Sequence, residues 1–232
     1  MRVPIPSFPL RAICFARGTG EMVAWALAAA VLAGAPTQWK QVENGDVAVF
    51  TRDRPGESVN ELKAVMDMNA TPAEVREVLE DEDYARRQPH VKEYRIVAHP
   101  APNVWESYGR LNFPMFKDRD YFVQSTIDRD LNPDGSGSFH ESWKPSGLDR
   151  PSRFDMVRVT KNQGYWDVQP LPDGRSRVTY MLSVDPGGAI PSWAVNMVNK
   201  SVIPDVLRDM QREVVRRRTV RLQARAGSTV RR

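Results

Sequence analysis

Cysteine is almost absent: Cys14 is the only one in 232 residues. It lies in an N-terminal segment that reads as a leader, so the rest of the chain has no disulfide, no thiolate nucleophile and no Cys-based metal site. Histidine is nearly as scarce. His90, His99 and His140 show neither H-x-H nor H-E-x-x-H spacing, which leaves no local zinc motif, and each reads as a surface or strand-end histidine. No G-x-S-x-G elbow, P-loop or dinucleotide fingerprint occurs, so serine hydrolysis and nucleotide chemistry lack their usual signals. Lysine is depleted as well, with 7 Lys against 26 Arg, a skew that fits a GC-rich bacterial gene. No apolar run reaches the ~20 residues of a comfortable membrane span.

What is present is an ordinary globular balance, 41% hydrophobic and 27% charged, with room for one domain and a core of reasonable size. Arg2, Arg11 and Arg17 precede the apolar run Met22–Ala33, and Ala33-Gly34-Ala35 fits a small-x-small cleavage site. Residues 1–35 therefore read as an export signal, with a retained N-terminal anchor as the alternative. The expected location is the periplasm or cell envelope. The net charge of +4 is unevenly spread. From Pro204 onward nine Arg face Asp205, Asp209 and Glu213, a local balance of +6. A basic end of this kind is a solvated tail, or a surface for anionic lipid headgroups or nucleic acid.

Along the body, Val47–Phe50 and Glu61–Met68 read as extended segments separated by the turn Arg54-Pro55-Gly56. Thr71-Pro72-Ala73-Glu74 is a helix start, with Thr as cap, Pro at the first position and Glu three residues on. Val75, Val78 and Leu79 give that helix an apolar stripe, and a second short helix is expected over 84–88. Strands follow at 91–98, 103–112, 119–128, 137–144, 153–159, 164–170 and 175–184, read as antiparallel and punctuated by Pro- and Gly-rich turns. Pro186-Gly187-Gly188 closes the sheet. A long helix from about Pro191 carries Val195, Val198, Val202, Val206, Met210 and Val214 on one stripe, with Pro204 as an internal kink. The order predicts an α+β fold, a curved antiparallel sheet wrapped around one helix.

One charge stands out. Glu106 lies mid-strand between Trp105 and Tyr108, where a carboxylate must face solvent or be buried with a partner. If 103–112 and 119–128 form a hairpin with Asn112 opposite Arg119, Glu106 faces Ser125, Tyr108 faces Val123 and Arg110 faces Tyr121. All six then share one sheet face. A ligand cavity and an exposed amphipathic face would both show this mixed pattern. Arg119 and Asp120 read as an ion pair bracing a strand start.

Several segments together resemble the START family of lipid-transfer domains: Asp46–Arg52, Asp118-Arg-Asp-Tyr-Phe-Val123, Trp166–Pro170, Ser176–Gly188 and Ile190–Asn196. The resemblance covers roughly 38–218. It implies a helix-grip fold, a bent antiparallel sheet closing on a long C-terminal helix around a hydrophobic tunnel. It also implies one bound lipid of sterol, phospholipid or fatty-acyl type, carried without chemical change, and no cofactor or catalytic residue. The sterol-binding pattern pairs an acidic residue with an arginine; here those positions fall on Glu106 and Ser125, so the arginine is missing. The expected tunnel wall comprises Tyr108, Tyr121, Val123, Trp166 and, on the terminal helix, Met197, with Glu106, Arg110 and Ser125 as its polar groups. Gly187, Gly188 and Pro204 are the expected hinge and weak point of a lid, although such residues also simply end strands and bend helices.

The expected layout is a leader at 1–35, a lipid-binding domain at 36–218 and a disordered basic tail at 219–232 that touches anionic membranes. A monomer is expected and a nucleic-acid partner is not. Two rivals share the architecture. One is a polyketide cyclase-like enzyme using Glu106, His140 or Tyr121 as acid or base. The other is an interaction module with a sealed core.

Overall fold

Period-two alternation of β-branched and polar residues builds the strands, and capped amphipathic segments build the helices. The computed structural model describes residues 38–54, 60–148, 150, 155–188 and 201–229. In chain order its elements are β1 (Lys40–Glu43), β2 (Ala48–Arg52), β3 (Glu61–Met68), α1 (Pro72–Leu79), α2 (Glu82–Arg87), β4 (Val91–Ala101), β5 (Val104–Leu111), β6 (Asp118–Arg129), β7 (Phe139–Pro145), β8 (Met156–Arg158), β9 (Lys161–Pro170), β10 (Ser176–Asp185) and α3 (Ile203–Thr229). One sheet runs β1-β2-β3-β10-β9-β7-β6-β5-β4, and β8 joins β6 at the side. The β8–β6 pair is parallel, with Asp118 opposite Met156, so the expected all-antiparallel run has one exception. Of the expected strand at 153–159, the described residues 155–159 contain β8; 151–154 lie outside the described residues, as do Pro55 and Gly56.

α1 starts as its sequence requires. Thr71 Oγ1 accepts from the Glu74 backbone N–H at 3.3 Å while Glu74 Oε2 accepts from the Thr71 N–H at 3.0 Å, the reciprocal pairing that satisfies two orphan donors. Val75 and Val78 are fully buried. Asp81 caps α2, accepting from the N–H groups of Asp83 and Tyr84, so α2 begins two residues before its expected start.

The buried face of α3 carries Ile203, Leu207, Met210 and Val214, which pack with Met66, Val75, Phe139 and Val178 in one core. Val202 and Val206, on the adjoining stripe, face a cavity described below. Pro204 is the second residue of α3 as described, two positions after helical residues at 201–202. The residues expected to precede it, including Val195, Met197 and Val198, lie outside the described residues. At the other end α3 continues to Thr229. Residues 219–229 are therefore helical rather than disordered as expected; 230–232, the rest of the expected tail, lie outside the described residues.

The arginines of α3 are mostly engaged. Arg208 donates to Asp46 at 2.7 and 2.9 Å, Arg218 to Glu74 at 2.6 and 3.0 Å, and Arg221 to Glu77 at 2.5 Å. Arg217 reaches both Asp81 and Glu213. The acidic ends of α1 and α2 and the basic helix α3 thus neutralise one another at their contact.

Candidate functional site

A cavity of about 430 Å³ lies between the concave face of the sheet and the helices α2 and α3. Strand parity decides which side chains reach it. In β6 the inward residues are Arg119, Tyr121, Val123 and Ser125; in β7 they include Glu141 and Trp143; in β9 and β10, Trp166 and Tyr180. Trp166 stacks on Tyr180 with ring centroids 4.2 Å apart, and Trp143 stacks on Tyr180 at 5.8 Å. Met210 closes the wall from α3.

Half of the sequence-derived site is elsewhere. β5 pairs with β6 so that Leu111 faces Arg119, Gly109 faces Tyr121, and Glu106 faces Gln124. This is one residue off the expected hairpin register, and a one-residue slip moves every side chain to the other face. Tyr121, Val123 and Ser125 line the cavity, as does Trp166. Glu106, Tyr108 and Arg110 lie on the opposite, convex face. There Glu106 accepts a hydrogen bond from Ser146 Oγ at 2.9 Å, Tyr108 packs on Phe122 with centroids 5.0 Å apart, and Arg110 pairs with Asp118. The slip has a local cause. Arg110 Nε and Asn112 Nδ2 both donate to Asp118, at 2.6 and 2.7 Å, so Asp118 already belongs to β6 and shortens the connection.

The cavity's carboxyl is Glu141, not Glu106. It is 8% exposed, and burial pushes its pKa up to about 8, with the Ser125 hydroxyl opposing part of that shift through a hydrogen bond. Glu141 is therefore largely neutral near pH 7 and donates rather than attracts cations. The sequence did carry a signal for it. Phe139, Glu141 and Trp143 share one parity in a strand whose other positions are polar, and two large apolar residues on one face imply that the residue between them is buried too.

Arg119 and Asp120 do not pair with each other, since neighbours on a strand point to opposite faces. Asp120 is held by Arg158 at 2.9 and 3.0 Å. Arg119 turns inward and is 7% exposed. His90 sits at the same end of the cavity, stacked on Phe113 at 4.6 Å, with Nδ1 3.1 Å from the Asn112 carbonyl oxygen. His140 is half-buried between Tyr165 and Asp167, and among the described residues no cluster of metal-ligating side chains forms.

At the end of β10, Gly187 and Gly188 have φ of 68° and 69°, a left-handed conformation that costs other residues about 1–2 kcal/mol each. Pro186 beside them lines the cavity. Met197 lies outside the described residues.

Comparison with known proteins agrees with this architecture. A family model of the START domain matches residues 27–219. An uncharacterised protein of Pseudomonas aeruginosa is 28% identical over 161 residues, covering 68% of this chain and 77% of that one. Rat phosphatidylcholine transfer protein is 28% identical over 142 residues, 60% of this chain and 65% of its own length. Mouse START domain-containing protein 10 is 25% identical over 162 residues, 68% of this chain and 54% of its own, so the chain spans little more than half of that relative. Among solved structures, human START domain-containing protein 10 superposes with a TM-score of 0.67 at 20% identity, covering 80% of this chain and 76% of that chain. A STAR-related lipid transfer protein fragment from Xanthomonas axonopodis gives 0.62 at 22% identity, covering 76% and 98%. At those identities the superpositions establish the helix-grip fold.

Proposed function

The chain belongs to the START domain family, known for lipid binding and transfer, and from that premise we propose that it holds one lipid in the cavity and carries it unchanged between membranes. The observation that supports this most is the cavity itself, about 430 Å³ walled by Tyr121, Val123, Trp143, Trp166, Tyr180 and Met210. Its size lies within the ~300–1,000 Å³ range of small-ligand sites. Withdrawing ~300 Å² of apolar ligand surface from water contributes ~7 kcal/mol before ordering costs. Ser125 and Glu141 supply polar contacts at one end and Arg119 at the other. Loading requires the sheet and α3 to part, and the left-handed glycines after β10 are the natural pivot. Residues 1–35 direct the protein to the cell envelope in this reading.

The test is transfer of a fluorescent lipid from donor to acceptor vesicles. The expected result is a rate that rises in proportion to protein concentration, with the lipid recovered chemically intact. A rate equal to that of vesicles alone, or a recovered product of altered mass, removes the carrier reading.

A further inference from the structure

The polar groups on the cavity wall differ in what they still lack. Ser125 and Glu141 have each other, and burial keeps the carboxyl neutral. Arg119 is in the opposite situation. A guanidinium keeps its charge at any physiological pH and presents five N–H donors in a planar fork. Here one donor, on Nη1, is taken by the Lys117 carbonyl oxygen at 2.5 Å, and the cation lies 5.4 Å from the Phe116 ring centroid. Among the described residues it has no carboxylate partner and no other hydrogen-bond acceptor. Leu111 lies opposite it on β5, His90 shares that end of the cavity, and Phe116, Tyr121, Val159 and Pro186 are among the apolar residues of the same lining. A buried cation without a counter-ion is costly, because the wall returns little of the hydration that it has lost.

We infer that Arg119 is the anchor for an oxyanion carried at one end of a single-chain amphiphile, a deepening that rests on the carrier reading above. The chain then runs inward along β6 past Tyr121 and Val123 toward Ser125. Ser125 lies six positions after Arg119 on one strand, or ~20 Å at ~3.4 Å per step. That is a long, narrow site with its charge at one end and its aromatic stack, Trp166 on Tyr180, toward the other. The cavity volume of about 430 Å³ stands near the lower end of the ligand-site range, which favours one alkyl chain over two. The shared chemistry is a delocalised oxyanion, either a carboxylate or a phosphate monoester, which a guanidinium fork meets with two parallel hydrogen bonds.

Oleate, oleyl phosphate and oleyl alcohol share one chain and differ only in the head, so calorimetric binding of the three isolates the anchor. The expected result is that the wild-type chain binds at least one of the two anions tenfold or more tighter than the alcohol. The anion preferred identifies the head as carboxylate or phosphate. Arg119→Gln removes that preference while oleyl alcohol still binds, which also shows that the variant folds; a preference for the anion that survives in Arg119→Gln overturns the anchor. Equal affinity for all three heads in the wild-type chain overturns the anchor while the carrier reading stands; failure of all three to bind overturns both. A second measurement needs no variant. The carboxyl of bound [1-¹³C]oleate, followed by NMR, stays ionised at pH 5 if it faces Arg119, whereas a protonated carboxyl at pH 5 is what an apolar site without a cation produces and contradicts the assignment.

Discussion

The Tyr121 ring lies directly across Gly109 on the facing strand, so close that a Cβ there would stand 2.3 Å from the ring Cζ. The missing side chain is what lets the ring fold flat over its neighbouring strand and form cavity wall. Gly164 plays the same part under Trp143, whose Cζ2 would meet a Cβ at 2.4 Å. Two aromatic walls of the cavity thus rest on two glycines, each in a strand that adjoins the aromatic's own.

Gly109→Ala therefore forces Tyr121 off its position. The expected cost is about 1–3 kcal/mol, the usual range for overpacking, read as a lower urea midpoint with unchanged slope. In a Tyr121→Ala background the same substitution costs much less, because the ring it collides with is gone. Additive costs in the double variant contradict the contact.

Glu141 sets a pH dependence whose sign follows from its environment. Its folded pKa of about 8 lies above the ordinary 4.5, so the native state holds a proton that the unfolded chain has released. The associated stability is complete below about pH 4.5, falls as the pH rises, and is gone above about pH 8. Glu141→Gln stays neutral throughout, so its stability relative to the wild-type chain is expected to rise by on the order of a few kcal/mol between pH 5 and pH 8.5. Urea midpoints at the two pH values measure this. A constant difference shows that the carboxyl is not buried.

The contact between α3 and the first two helices makes a graded expectation. Arg217 bridges Glu213, Asp81 and the Glu77 carbonyl oxygen, with a side chain only 14% exposed. Arg212, 67% exposed, meets Asp209 on its own helix. Arg217→Ala is expected to cost about 1–3 kcal/mol and Arg212→Ala less than about 0.5 kcal/mol, measured by thermal unfolding. Arg216 and Arg217 hold the Glu213 carboxyl down to a pKa of about 2 against burial. Its contribution is therefore present above the ordinary carboxylate range and is lost only as the pH falls toward 2. Equal costs for the two arginines contradict the arrangement.

Gly188 has φ of 69°, and a Cβ added to it would meet no atom of the described residues within 4 Å. Gly188→Ala thus adds strain of about 1 kcal/mol without a collision. If this segment is the pivot, vesicle-to-vesicle transfer slows several-fold while equilibrium lipid binding changes little. Equal changes in rate and affinity remove the pivot from the mechanism.

Much of the architecture was legible because it depends on local chemistry. The Thr71–Glu74 capping box, the Pro-Gly-Gly that closes β10 and the alternation within β9 and β10 each announce themselves within a few residues. The cavity was half legible. Which face a strand buries depends on register, and register in β5–β6 was set by Asp118 accepting from both Arg110 and Asn112, a tertiary choice that loop counting misses. That single slip put Glu106 on the cavity face in the sequence reading, and an apparent pair with Asp120 hid the inward-facing Arg119. β1 escaped because Lys40–Glu43 is an exposed edge strand with no apolar alternation to show. The helical end of α3 escaped for a related reason. Its arginines look like a solvated tail until the acidic faces of α1 and α2 are placed beside them.

The most direct test of the carrier reading is native mass spectrometry of the protein purified from its own cells, with organic extraction of whatever accompanies it. One lipid per chain, released intact by extraction, is the expected result. Protein that arrives empty and takes up neither fatty-acyl, phospholipid nor sterol probes contradicts it.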